Sequence, residues 1–169
     1  KDNIFKDSYL VISTVTKTGQ QEAKKSISFA DKFIYFPIDI SFIVKRVISY
    51  INPFLIIFSE TDFWYNFLKF ASKKSKIVVA SAKISFTSFR RFKKMSFFSK
   101  KIFSKIDLFC LQNSLHKERF EELKIDKKKL KVTGNLKLSN KPEALKKERI
   151  EELKKLFKID EKVITIAST

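Results

Sequence analysis

The chain has 169 residues, 44% of them apolar, which is enough for one domain with its own core. Its 36 Lys and Arg against 18 Asp and Glu leave a net charge of +18. That balance favours phosphates, nucleic acid or an acidic membrane face, although a genome rich in A and T gives the same Lys, Ile and Phe bias with no partner. A single Cys excludes an internal disulfide, a single His argues against a structural zinc centre, and no apolar run reaches the length of a membrane span.

In chain order, residues 9–15 form the first strand-length apolar run, and 19–28 the first segment of helical character. A strand is predicted at 33–36 and a helix at 40–50. The most apolar strand follows at 54–59, then a helix at 62–73 with Asp62 as its cap. A strand at 77–80 leads to one long helix at 85–105, and a strand at 108–111 to a helix at 114–123 capped by Ser114, with Glu118 one turn on. The last elements are a strand at 130–133, a helix at 143–157 just after Pro142, and a strand at 163–167. The runs lack strict alternation, which is the pattern of parallel strands buried on both faces. Strand and helix alternation of this kind predicts an α/β fold, a doubly wound and mostly parallel sheet. Cys110, inside an apolar run, is expected to be a buried core thiol. The chain starts at Lys1 and stops just after an apolar run, so both ends are expected to be cuts in a longer protein.

In such sheets ligands bind beyond the carboxyl ends of the strands. The polar residues there are Thr16–Gly19 of the first loop, 37–39, 60–62, 81–83, Gln112 with Asn113, and 134–137. Thr18 and Gly19 open a helix, where backbone N–H groups suit an anion or simply a capped turn; the full G-x-G-x-x-G fingerprint is absent, which argues against a nicotinamide dinucleotide. Glu60 and Asp62 place two carboxylates at a strand end, suited to acid–base work or to plain helix capping. Residues 86–105 mix Phe with Arg90, Arg91, Lys93, Lys94, Lys100 and Lys101. That mixture suits an anionic membrane surface or single-stranded nucleic acid; an ordinary helix with Phe inside and Lys in solvent has the same composition. Gly134, Asn135 and Lys137 offer a turn, an amide and a cation to a phosphate or carboxylate, or form a plain turn.

Taken together, these segments resemble the N-terminal domain of the Kdo (3-deoxy-D-manno-octulosonic acid) transferases. The family's Thr-x-Thr-Gly is similar to Thr16-Lys17-Thr18-Gly19, and its Tyr-x-Pro-x-Asp to Tyr35-Phe36-Pro37-Ile38-Asp39. Its Glu-Thr-Glu-x-Trp-Pro-Asn resembles Glu60-Thr61-Asp62-Phe63-Trp64-Tyr65-Asn66, and its Asn-Ala-Arg-x-Ser resembles Ser81-Ala82-Lys83-Ile84-Ser85. Its Val-Thr-Gly-Asn-x-Lys is met directly by Val132-Thr133-Gly134-Asn135-Leu136-Lys137. The departures are Lys17 for Pro, Asp62 for Glu, Tyr65 for Pro, Ser81 for Asn and Lys83 for Arg, the last losing a bidentate fork.

The resemblance implies a Rossmann-like half of a GT-B glycosyltransferase, with residues 1–160 as the acceptor-side domain and 161–169 the start of a link to a donor-binding domain. It implies an inverting, metal-independent transfer of Kdo from CMP-Kdo to a lipid A precursor in lipopolysaccharide synthesis, with no cofactor. Glu60 is then the catalytic carboxylate on the acceptor side. Thr18, Gly19, Asp39, Asn66, Lys83, Ser85, Gly134, Asn135 and Lys137 are the substrate-binding residues. The cations of residues 90–101 meet the anionic cytoplasmic face of the inner membrane, to which the protein attaches peripherally; nucleic acid is not an expected partner. The family's Ser-x-Gly-Glu segment, with its proposed general base, is expected upstream of Tyr9, so this stretch alone is expected to be inactive. Two other readings stay open: a GT-B glycosyltransferase with another acceptor, and a non-catalytic anion- or membrane-binding α/β module.

Overall fold

A computed structural model describes residues 8–60, 63–138 and 147–157. The chain divides into two compact units, Lys1–Asn135 and Leu136–Thr169. In the first unit the described elements run β1 (Val11–Thr14), α1 (Lys17–Ser26), β2 (Lys32–Tyr35), α2 (Ser41–Ile51), β3 (Leu55–Ser59), α3 (Tyr65–Ala71), β4 (Lys76–Ala82), α4 (Phe86–Lys94), α5 (Ser96–Phe103), β5 (Leu108–Leu111), α6 (Ser114–Glu122) and β6 (Leu130–Val132). The second unit holds a short 3-10 turn, Leu136–Leu138, and α7 (Lys147–Phe157). On α7 Arg149 pairs with Glu152 and Lys154 with Glu151. The strand expected at 163–167 and the first residues of the helix expected at 143–157 lie outside the described residues.

Every strand pairing among the described residues is parallel, as the alternating pattern predicts, and the class is α/β with helices flanking the strands. The strands fall into two sheets, β1-β2 and β3-β4-β5-β6. In the larger sheet Phe58, Val79, Phe109 and Leu130 stand in register on one face. That face is covered: Phe67 of α3 packs on Phe58, Phe103 of α5 on Phe109, and Phe120 of α6 on Phe109. Val79, Phe109 and Leu130 are buried beneath these rings. The expectation of burial on both faces does not hold here. Val78, Leu108 and Cys110 on the opposite face are only half-buried, and Ile57 is exposed. The Cys110 thiol is accordingly not sealed in the core.

Phe36, just past β2, joins the two sheets, with its ring 4.8 Å from Phe67, 5.4 Å from Trp64 and 6.4 Å from Phe58. Aromatic packing of this kind adds to simple burial.

The helix predicted over 85–105 is two helices broken at Met95, whose φ of −98° and ψ of 45° leave the helical region. The buried Ser99 hydroxyl lies 3.0 Å from both the Phe92 and Ser96 carbonyls, giving the interrupted ladder a side-chain partner. The break lets Phe92 and Phe103 both turn inward, 5.1 Å apart, with Phe63 against each.

One cap differs from expectation. Asn113, not Ser114, caps α6 by accepting from the His116 N–H at 3.1 Å. Asp62 lies outside the described residues, and the α3 start is capped across the fold by Asp39, which accepts from the Asn66 and Phe67 N–H groups at 3.1 and 2.8 Å. No helix among the described residues is long and apolar enough to cross a membrane.

Candidate functional site

Backbone bonds at the strand ends bring the motif loops of the larger sheet to one edge. Glu60 N–H donates to the Ala80 carbonyl, Gln112 N–H to that of Ala82, and Thr133 and Gly134 N–H to that of Leu111. Asp39 reaches from the end of β2 to the start of α3, so the carboxyl end of the smaller sheet shares that side.

Glu60, just past β3, and Ser81, near the end of β4, both take left-handed backbone, with φ of 66° and 54°. For residues with a Cβ this conformation costs about 1–2 kcal/mol. The turn aims the half-buried Glu60 carboxylate at Lys83, whose Nζ is 2.9 Å from Oε2. Ser81 is buried and takes two bonds from the Gln112 amide, at 3.0 Å to its carbonyl and 3.2 Å to its hydroxyl. Its hydroxyl lies 3.4 Å from Asn135 Oδ1. Three strand ends are therefore tied by one polar chain, and Gly134 makes the turn into it with a φ of 95°.

Beside Glu60 opens a pocket of about 520 Å3. Phe63, Trp64 and Phe92 form its apolar wall, and Lys83, Arg91 and Arg119 supply cations. Ser85 and Ser88 stand at the α4 start, where the Ser85 hydroxyl caps the Ser88 N–H at 3.1 Å. His116 completes the lining. The α6 residues grip the loop between β4 and α4: His116 Nδ1 accepts from the Ile84 N–H at 3.3 Å, and Arg119 donates to the Ile84 carbonyl at 2.7 Å. A neutral imidazole in this bond carries its proton on Nε2. Burial pushes the His116 pKa down, and the Arg119 and Lys83 charges push it further.

The residues singled out in the sequence divide sharply. Glu60, Lys83 and Ser85 surround this pocket or its rim, and Asn135 and Gly134 lie in the adjoining polar chain. Asp39 and Asn66 serve each other instead. The Asn66 amide donates to the Asp39 carbonyl at 2.7 Å and lies 2.9 Å from the Ser41 hydroxyl, while both Asp39 oxygens are taken by α3. Gly19 gives its N–H to the Thr16 hydroxyl at 3.0 Å, and a Cβ there would crowd that oxygen. Thr18 is exposed in the first turn of α1, and Lys137 lies in the 3-10 turn of the second unit. Thr61 and Asp62 are outside the described residues.

Among the cations of residues 90–101, Arg91 lines the pocket, Arg90 lies over the Phe86 ring, Lys93 pairs with Glu122 at 2.7 Å, and Lys101 lies over Tyr65. Lys94 and Lys100 are exposed. Sequence reasoning missed His116, Ser88 and Arg119 as pocket residues. The one available signal was their placement: His116 and Arg119 are one turn apart on α6, the helix that follows a strand end.

Residues 3–140 match the family model described as 3-deoxy-D-manno-octulosonic-acid transferase (kdotransferase). The chain is 36% identical over 129 residues to the 3-deoxy-D-manno-octulosonic acid transferase of Chlamydophila psittaci, covering 75% of this chain and 30% of that protein. It is 31% identical over 163 residues to the enzyme of that name from Haemophilus influenzae, covering 95% of this chain and 38% of the relative. A bifunctional glycosyltransferase/methyltransferase of Fusobacterium nucleatum is 34% identical over 164 residues, covering 95% of this chain and 26% of the relative. The chain thus spans well under half the length of these curated relatives. It belongs to the 3-deoxy-D-manno-octulosonic-acid transferase family of glycosyltransferases.

Proposed function

We propose that this chain is the acceptor-side part of an enzyme that transfers Kdo from CMP-Kdo to a lipid A precursor. The single observation that carries the reading is Glu60: a carboxylate held in left-handed backbone at a strand end, paired to Lys83, at the rim of a cationic pocket. Strain of this kind persists where surrounding structure enforces it, and it clusters at functional sites.

In this reading the enzyme is an inverting GT-B glycosyltransferase that needs neither metal nor cofactor. An acceptor hydroxyl attacks the anomeric carbon of Kdo, CMP leaves, and the hydroxyl gives up its proton to the general base expected in the Ser-x-Gly-Glu segment upstream of Tyr9. Glu60 orients the acceptor and stabilises positive charge near the attacking hydroxyl, and Lys83 fixes its carboxylate. The donor is held outside the residues described here. The acceptor stays in its bilayer, and the protein meets the cytoplasmic face of the inner membrane peripherally through the basic surface of α4 and α5.

The test is Glu60→Gln in the full-length protein. The variant should fold normally and lose roughly 100-fold in turnover, the loss typical of a positioned acid or base. Near-normal turnover would reduce Glu60 to a residue of the strand end.

A further inference from the structure

We propose that His116 and Arg119 are positioning residues: from α6 they clamp the backbone on both sides of Ile84 and so set the direction of Lys83 and of the α4 start. The bond to His116 takes the Ile84 N–H, which belongs to the peptide joining Lys83 to Ile84. The bond from Arg119 takes the Ile84 carbonyl, which belongs to the peptide joining Ile84 to Ser85. The Ile84 side chain between them is buried in the core. Each peptide is planar, so with both held and the side chain packed, little rotation is left at Ile84.

The residues on either side are the ones whose direction matters. Ala82 is the last β4 residue in register with β5, so Lys83 has no strand partner to aim it. Its ammonium holds Glu60 at 2.9 Å. Ser85 caps α4 through the Ser88 N–H, and Arg119 also lies over the ring of Phe86, the first residue of α4. The clamp itself starts from a fixed base, because Asn113 caps α6 at the His116 N–H and Phe120 is buried under the sheet. What the clamp serves, the orientation of Glu60, rests on the transferase reading; the clamp does not.

The clamp depends on protonation. Nδ1 accepts only while it carries no proton; a proton there would set two N–H donors face to face. Burial, then the Arg119 charge on α6 and the Lys83 charge on the loop, hold the His116 pKa below its ordinary 6.5. Arg91 of α4 lines the same pocket, and Glu60 beyond β3 is paired with Lys83. The clamp therefore stays closed at neutral pH and opens only in acid.

The experiment has two arms. His116 is the only His in the 169-residue chain, so its ring nitrogens give one pair of NMR signals. At neutral pH Nδ1 should be unprotonated and Nε2 protonated, with the Ile84 amide protected from hydrogen exchange. As pH falls, the ring should titrate with a midpoint below 6.5, and the Ile84 protection should fall with it. A proton on Nδ1 at neutral pH, or Ile84 protection indifferent to the titration, overturns the clamp whatever the enzyme transfers.

The second arm is turnover of the full-length protein. Above that midpoint His116→Leu, which removes the acceptor, should lower kcat roughly tenfold with KM nearly unchanged, as for a misdirected group. His116→Asn, whose Oδ1 stands where Nδ1 stood, should recover most of that loss and remove the acid step that follows the His116 titration. On a Lys83→Gln background His116→Leu should cost little more, since its effect runs through Lys83. Equal loss in the Leu and Asn variants, or a full further loss without Lys83, reduces His116 to packing and overturns the positioning role. An acid step unchanged in His116→Asn belongs to another group and overturns the dependence on His116 protonation. A closed clamp in a full-length protein without Kdo transfer leaves the clamp standing and removes the transferase reading.

Discussion

Lys83 Nζ stands 2.9 Å from Glu60 Oε2, with both side chains about a third or more exposed. A pair so open to solvent contributes at most about 1 kcal/mol to stability, so its significance is geometric. It fixes the direction of a carboxylate whose backbone is already held in the left-handed region. Lys83→Gln in the full-length protein should therefore leave the unfolding midpoint nearly unchanged and lower turnover by roughly tenfold, through a misaligned Glu60. Lys83→Arg should retain most of the turnover, since a guanidinium can hold the same oxygen. Equal loss in both variants would mean that the ammonium itself, and not its hold on Glu60, matters.

Asp39 and Asn66 are bonded to each other and to the start of α3. The Asp39 carboxylate caps α3 from 27 residues away, and Asn66 returns a bond to the Asp39 carbonyl. Asp39→Ala should cost about 1–2 kcal/mol in urea unfolding, as for loss of a helix cap. Turnover of the full-length protein, per folded molecule, should stay near normal. Lost turnover at unchanged stability would place Asp39 in the substrate site.

Asp107 closes the opposite edge of the sheet. Burial raises its pKa, but the Ile77 N–H at 2.8 Å, the Lys76 ammonium at 3.1 Å and the charge of Lys129 outweigh it and hold the carboxyl below its ordinary value. A depressed folded pKa stabilises the protein above the unfolded value near 3.8, and that stabilisation is lost as pH falls through the lower folded value. Asp107→Asn should thus destabilise the chain by about 1 kcal/mol at pH 6, measured by urea unfolding. The gap between variant and parent should close below pH 3.8. A gap independent of pH would assign the effect to packing.

The apolar runs located six strands because burial of one face forces Ile, Val and Phe into short clusters, and Leu108–Leu111 was legible to the residue. Burial on the second face was not legible. Nothing in Ile57 or Val78 tells a covered residue from an uncovered one. The break at Met95 was hidden because Phe89, Phe92 and Phe103 continue a helical spacing across it. At the break the Ser99 hydroxyl takes the Phe92 carbonyl, a local bond that periodicity does not register. Glu60, Lys83 and Ser85 were legible because site residues follow strand ends. The Asp39 cap and the Arg119 and His116 grip on Ile84 were not, since each joins residues 27 or more apart.

The two-helix arrangement also sharpens the expectation for the membrane. Of the cations in residues 90–101, Lys93 is drawn to Glu122, Arg91 to the pocket and Arg90 to the Phe86 ring, which leaves Lys94, Lys100 and, beside Tyr65, Lys101 exposed. Phe97 sits between them at the start of α5 with 83% of its surface exposed, and Met95 is exposed beside it. Each cation near an anionic leaflet contributes about 1 kcal/mol, and inserting a Phe ring adds about 1.5–3 kcal/mol. Three cations and one ring give attachment that is firm but reversible. The chain should co-sediment with anionic vesicles in preference to neutral ones, and less so as salt rises, since exposed charges are screened beyond about 8 Å at physiological ionic strength. Changing Lys94, Lys100 and Lys101 to Gln should abolish the preference for anionic lipid. Phe97→Ser should weaken binding while keeping the preference, because it removes insertion without removing charge. Lys73 and Lys74, at the far end of β4, serve as the control for charge removed elsewhere on the chain. Equal loss from that control would mean that the overall charge of +18 drives the binding, and α4 and α5 would then be an ordinary helix pair with solvated lysines.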